Sequence, residues 1–216
     1  MTEGEDRRPL ASRSSKWAHA LTARLAATSI TPNQISQVSM LMAALAAAAF
    51  YFAGTTHDVS RILLLIAAAA FCQLRLACNL LDGMVAVEAG KGSADGAFWN
   101  EFPDRVSDII ILVGVGYGIG EPALGWAAAA FALMTAYTRE LGRASGAGND
   151  FCGPMAKPHR MAVITFAALV SIFEGWWGAL DNALTIALWV IVIGTVVTTL
   201  RRAGRIVKRL KAGVET

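Results

Sequence analysis

The sequence predicts an all-α integral membrane protein: six transmembrane helices preceded by an amphipathic helix lying in the membrane interface. Three observations carry this. Hydrophobic residues make up 55% of the 216-residue chain and charged ones only 16%; with a mean hydropathy of +0.49, that is too oily for a soluble domain of this length. Six segments are long enough, or nearly so, to cross about 30 Å of hydrocarbon at about 1.5 Å per residue. Lys and Arg gather in a few segments that all fit one side of a membrane.

The elements follow in order. In residues 16–27, "KWAHALTARLAA", Trp17, Leu21 and Leu25 recur every four residues with Lys16 and His19 on other faces, as in a helix in the headgroup plane. Arg24 lies near that stripe and would have to snorkel. In "SITPNQIS" Thr31 is placed to cap a helix whose first turn holds Pro32. The spans are expected at roughly 34–54, 60–81, 104–120, 122–141, 160–178 and 181–200. The third begins polar and is rich in glycine, as suits a segment buried among other helices. Pro103 fits a first helical turn, so that span is expected to begin beside Asp104.

Orientation follows from charge. Arg7, Arg8, Arg13, Lys16 and Arg24 precede the first span, and Arg201, Arg202, Arg205, Lys208, Arg209 and Lys211 follow the last. Lys91, Arg143 and Lys157 fall in loops on the same side, and Arg61 alone is basic on the other. An even number of spans then puts both ends in the cytoplasm, with the protein integral to the plasma (inner) membrane. The chain divides into a cytoplasmic segment with the interfacial helix (1–32), a six-helix membrane domain (33–200) and a basic tail (201–216). The first twenty residues lack the apolar core and cleavage site of a signal peptide, so removal is not expected.

A net charge of +3, confined to segment ends, argues against nucleic acid as a partner. Cys72, Cys78 and Cys152 show no CxxC or Cys/His ligand spacing and read as small packing residues. Arg75 lies within an apolar span, where an unpaired charge is costly, so it calls for a carboxylate or phosphate partner.

The polar chemistry sits at one membrane edge. Asn79 and Asp82 are three apart; Asn100, Asp104 and Asp108 are successively four apart. Each set shares one helix face, and bringing the faces together makes an oxygen-ligand cluster suited to Mg²⁺ or Mn²⁺ rather than zinc. Gly83, Gly90, Gly92 and Gly96 would let a substrate approach the backbone. For any one of these polar residues taken alone, a merely wet helix end is the better account.

As a set, the segment resembles the signature of the CDP-alcohol phosphatidyltransferase family, Asp-x-x-Asp-Gly-x-x-Ala-Arg, about eight residues, then Gly-x-x-x-Asp-x-x-x-Asp. Here it reads Asn79-x-x-Asp82-Gly83-x-x-Ala86-Val87, eight residues, then Gly96-x-x-x-Asn100-x-x-x-Asp104. Spacing matches throughout; the first and third aspartates are asparagine and the arginine is Val87. "TPNQIS" and "YTRELGRASGAGNDFCGPMAKPHRM" (137–161) also look like family stretches, the latter like the acceptor-side loop of the phosphatidylinositol-phosphate and glycerophosphate branches.

The resemblance implies six transmembrane helices and transfer of a phosphatidyl group from a CDP-linked lipid to an alcohol, with release of CMP, in phospholipid biosynthesis. It implies a metal site of Asn79, Asp82, Asn100 and Asp104 for Mg²⁺ or Mn²⁺, with Asp104 as the catalytic base. Asn33, Gly83, Ser93 and Gly96 look like the positions that contact the CDP-lipid. The two asparagines remove two charges from a site that usually holds two dications in the family, and weaker metal binding or a single metal follows. Asp108 either compensates in part or is a structural partner one turn on. Arg139, Lys157 and Arg160 form a basic group for an acceptor phosphate or an anchor at anionic headgroups; His159 beside them carries little weight. Partners are then a CDP-activated lipid, a small or phosphorylated alcohol, membrane lipids and, as an option, a second copy in a homodimer. A non-catalytic relative binding lipid or nucleotide is the alternative. A small transporter fits less well, because its polar groups would lie near midplane.

Overall fold

The computed structural model of the protein describes residues 15–176, 178 and 181–214; Arg7, Arg8 and Arg13 of segment 1–32, Trp177 of the fifth expected span and the last two residues of the tail lie outside them. The described residues form seven α-helices: α1 (Lys16–Ala26), α2 (Pro32–Thr55), α3 (Asp58–Glu88), α4 (Gly96–Gly118), α5 (Pro122–Ala144), α6 (Lys157–Ser171) and α7 (Asn182–Val214). Of these, α2, α3 and residues 182–212 of α7 are long and apolar enough to cross a membrane.

Helices α2 to α7 close into a ring. α2 packs on α3 and α4, α4 on α5, α5 on α7, α7 on α6, and α6 back on α3. Small residues let them approach: Ala43, Ala46, Ala49 and Ala53 of α2 and Ala128, Ala129 and Ala132 of α5 are buried in one core with Leu65, Ile111, Leu112 and Leu188. α2 and α4 touch backbone to backbone, so that a Cβ on Gly118 would overlap the Phe50 carbonyl.

The expected cap before the first span is present. Thr31 Oγ1 accepts from the Gln34 backbone N–H at 3.2 Å, and Gln34 Oε1 accepts from the Thr31 N–H at 3.0 Å, a capping box with Pro32 in the first turn. α1 forms where the sequence indicates, but Ala18 and Thr22 are its buried residues, with Ala18 packed on Leu80 and Met84 of α3. Trp17 and Leu21 of the apolar stripe face outward.

The third span departs from expectation. α4 begins at Gly96, and Pro103 lies inside it rather than in its first turn. The added turns are held at their start by Asp95, whose carbonyl accepts the Trp99 N–H at 3.2 Å and whose carboxylate accepts Trp99 Nε1–H at 2.9 Å. The missing proline N–H therefore falls within a helix already nucleated upstream. α6 ends early, at Ser171, because Glu174 turns the chain. Its carboxylate accepts the Ser171 hydroxyl at 2.5 Å and the N–H groups of Asp181 and Ala183 at 3.0 and 2.6 Å, so it caps the start of α7.

Arg61 completes that end of the ring. It donates to the Ala53 carbonyl at 2.9 Å, Ser171 Oγ at 3.1 Å and Asp181 Oδ1 at 2.8 Å, tying α2, α3, α6 and the entry to α7 together. The one basic residue expected on this side is thus neutralised by a carboxylate.

Candidate functional site

At the opposite end of the ring lies a cavity of about 720 Å³ lined from all six helices. α2 contributes Pro32, Asn33 and Ser36; α3 contributes Asn79, Asp82 and Gly83; α4 contributes Gly96, Asn100, Glu101, Asp104 and Arg105. Thr135 and Arg139 of α5, Lys157 and Arg160 of α6, and Arg202 of α7 form the facing wall, with Phe151 from the α5–α6 loop. Asn33, Asn79, Asp82, Gly83, Ser93, Gly96, Asn100, Asp104, Arg139, Lys157 and Arg160, singled out from the sequence, all line this cavity; Asp108 and Gly90 do not.

Asp82 and Asp104, each only 6% exposed, have different surroundings. Asp82 Oδ2 accepts the Ser36 hydroxyl at 2.6 Å and Oδ1 accepts the Gly83 N–H at 2.6 Å. Both donors are neutral. Asp104 is met by charge: Lys157 Nζ bonds its Oδ2, Asn79 Nδ2 bonds its Oδ1, and Arg75 Nη2 reaches Oδ1 at 3.3 Å and the backbone carbonyl at 3.2 Å. Asn100 lies exposed at the mouth.

Asp108 does not line the cavity. It is buried one turn beyond Asp104 and paired with Arg160 and, at 3.3 Å, with Arg75, so it is a structural partner of two buried arginines. Arg75 thereby finds the carboxylate partners that its place in an apolar span demands. Arg160 also donates to the Met155 carbonyl at 3.2 Å and lies at 3.4 Å from Thr135 Oγ1.

The expected basic group is brought together, but already engaged. Lys157 rests on Asp104 and Arg160 on Asp108, while Arg139 bonds Glu101 at 2.6 Å and Glu140 at 2.8 Å and lies over the Phe151 ring at 5.6 Å. Glu101 also holds Arg105 at 2.5 Å. Arg202 is different: buried, it donates to the carbonyls of Cys152 at 2.9 Å and Thr135 at 2.7 Å, and among the described residues no carboxylate forms an ion pair with it. Sequence reading placed Arg202 in the basic tail. The missed signal is its phase on α7, where Thr195, Thr198, Arg202 and Ile206 make one buried stripe.

At the mouth, Asn33 Nδ2 donates to both Asp95 oxygens at 3.1 and 3.2 Å and to Ser93 Oγ at 3.3 Å. Hydrogen bonds from Ser93, Asn33 and Trp99 hold the Asp95 carboxyl below the usual carboxylate range. Asn33, Ser93 and Gly96, expected at a CDP-lipid, therefore form one strapped edge of the cavity. Among the described residues no three His, Cys, Asp or Glu side chains gather closely enough to hold a metal by themselves.

No known family model matches the chain. It is 29% identical over 195 residues to the archaetidylinositol phosphate synthase of Pyrococcus horikoshii, covering 88% of this chain and 90% of that one. To the phosphatidylinositol phosphate synthase of Mycolicibacterium smegmatis it is 30% identical over 132 residues, 57% of this chain and 58% of the relative. Its fold is that of the Mycobacterium tuberculosis phosphatidylinositol phosphate synthase. The structure of that protein with CDP-DAG bound superposes with a TM-score of 0.74 at 20% identity, over 89% of this chain and 94% of the other. The form with manganese and citrate gives 0.73 at 21%, over 88% of each. The relatives that the chain resembles in sequence are thus, by name, an archaetidylinositol phosphate synthase and phosphatidylinositol phosphate synthases.

Proposed function

We propose that the protein transfers a phosphatidyl group from a CDP-linked lipid to an alcohol and releases CMP. The observation that carries this is the cavity itself: Asp82 and Asp104 stand on one wall, and Lys157, Arg160 and Arg202 on the wall that faces them. A diphosphate at the Asp82 side and an anionic acceptor at the Arg202 side are the ligands these charges suit.

The donor set fits Mg²⁺ or Mn²⁺, which take oxygen ligands from one or two carboxylates together with substrate phosphates. Asp82 and Asp104, with the amide oxygens of Asn79 and Asn100, are the residues that would hold such an ion. Bound there, it supplies positive charge to the diphosphate. The chain's own residues do the rest. Asn33, Gly83, Ser93 and Gly96 frame the nucleotide end. Lys157, Arg139 and Arg202 orient the acceptor. Asp104 Oδ2 takes the proton of the attacking hydroxyl as Lys157 Nζ turns from it toward the acceptor; the new P–O bond forms on the phosphatidyl phosphorus, and the bond to CMP breaks.

In this reading α2 to α7 each cross the inner membrane and α1 lies in its cytoplasmic interface, with both termini cytoplasmic. Support comes from outward apolar side chains such as Leu41, Phe131, Phe166 and Ile193, which suit lipid contact, and from the basic residues at the cavity end. The acceptor is a small or phosphorylated alcohol, inositol phosphate being the first to try, and a homodimer is compatible with the exposed faces.

The test is CMP release by purified protein in detergent from CDP-diacylglycerol with Mg²⁺ or Mn²⁺ and a panel of alcohols and alcohol phosphates. Release with one acceptor class supports the reading; none with any, and none gained by Asn79→Asp with Asn100→Asp, leaves a lipid- or nucleotide-binding protein. The close engagement of Asp104 by Lys157, Arg75 and Asn79 is the observation that favours that second reading.

A further inference from the structure

The two carboxylates that face the cavity are not equivalent. Asp104 and Asp108 together meet Arg75, Lys157 and Arg160, two carboxylates against three cations. That cluster carries one excess positive charge. Asp82 is buried to the same degree as Asp104, yet among the described residues no Lys, Arg or His pairs with it, and its two hydrogen bonds come from a hydroxyl and a backbone N–H. A carboxylate taken out of water without a cation is costly; one that opens onto a cavity is placed to receive a cation that enters with a ligand. Asn79 points the same way. One N–H of its amide is given to Asp104, so toward a cation it has only its carbonyl oxygen to offer, a ligand without charge.

We infer that the site takes one divalent cation per chain, at the Asp82 end, and that Lys157 Nζ, rather than a second metal, is the positive charge beside Asp104 until the acceptor draws it away. A second divalent ion at Asp104 would meet Arg75 and Lys157 and find no free carboxylate, because Asn79 and Asn100 bring dipoles only. The ion at Asp82 then neutralises the diphosphate, and Lys157 stands at the acceptor side. This inference rests on the metal-dependent reading of the site above.

The experiment is Mn²⁺ titration of the purified full chain in detergent, read both by calorimetry and by the electron-spin resonance of free Mn²⁺. One ion per chain is expected. Asp82→Asn should weaken binding by more than about 100-fold, beyond what loss of a supporting residue outside the ligand shell costs. Circular dichroism and thermal unfolding of that variant show whether it folds. Lys157→Gln combined with Asn79→Asp and Asn100→Asp should bring a second ion. Two ions bound to the unaltered protein, none bound, or stoichiometric binding by folded Asp82→Asn would each overturn the inference, as would a triple variant that still binds one. CMP release separates the failures: turnover with two ions bound sinks the single-ion inference and spares the transferase reading, whereas one ion bound without turnover on any acceptor does the reverse.

Discussion

Arg75 Nη2 lies 3.3 Å from Oδ1 of Asp104 and equally far from Oδ1 of Asp108, so one fully buried guanidinium holds two carboxylates a turn apart on the neighbouring helix. Removing one member of such a group leaves the others charged and dry. Arg75→Met is expected to lower stability by about 3–5 kcal/mol, seen as a fall in thermal midpoint in detergent. Adding Asp108→Asn should recover part of the loss; a single variant as stable as the parent would show that the pairing does not matter to the fold.

Asp104 is the proton acceptor of the proposed reaction. Asp104→Asn removes the basicity, so CMP release by the folded variant, checked by its thermal midpoint, should drop by about 10²–10⁴-fold, more than any loss of CDP-diacylglycerol binding measured by calorimetry. Unchanged turnover would take the role from Asp104.

Arg202 is tied to backbone carbonyls, and among the described residues it forms no ion pair with a carboxylate. Charge-assisted hydrogen bonds contribute about 1.5–3 kcal/mol. Arg202→Gln should therefore raise KM for a phosphorylated acceptor by about 10–100-fold and leave KM for the CDP-lipid alone. If both constants move together, the residue shapes the cavity as a whole.

Asp150, in the loop between α5 and α6, is buried, which by itself pushes its carboxyl up. The Cys152 N–H at 2.8 Å and the guanidinium groups of Arg209 at 3.5 Å and Arg205 at 3.8 Å outweigh this and hold it below the usual range. With the folded value depressed, the stabilisation is complete above the unfolded carboxylate value of about 3.9 and is lost as pH falls through the folded one. Asp150→Asn should thus lower the thermal midpoint at pH 6 and differ less and less from the parent below pH 4. An equal gap at both pH values would mean that charge is not what Asp150 contributes.

Gly118 meets the Phe50 carbonyl across α2 and α4. A side chain there forces the helices apart. Gly118→Val should cost about 1–3 kcal/mol or more, while Gly83→Ala, inside α3 where a Cβ has open space, should hold or raise the thermal midpoint. Equal effects would put backbone freedom, not close packing, behind both glycines.

Much of this architecture was legible in the chain because it rests on local spacing. Asn79 with Asp82, and Asn100 with Asp104 and Asp108, share helix faces by three- and four-residue intervals, and Thr31–Pro32–Gln34 is a cap whose geometry is set within four residues. What depends on long-range partners was not legible. Nothing within 25 residues of Asp104 announces that Lys157 will sit on it, and nothing near Glu101 announces Arg139. Arg202 was hidden among tail residues of its own type, most of which face outward. The start of α4 is hidden because Pro103 suits a helix's first turn, while the Asp95–Trp99 bonds that open the helix earlier involve a side chain four residues on.

The cavity draws on Ser36, Asp82, Asp104, Arg139, Lys157 and Arg202, one side chain from each of the six helices in the ring. It works like a quorum: no consecutive stretch of the chain contains it, and it exists only after the first and last of these helices have taken their seats. Turnover, wherever it is measured, is therefore also a report on assembly, and a variant inserted with one helix out of place would fall silent without any change to the groups that do the chemistry.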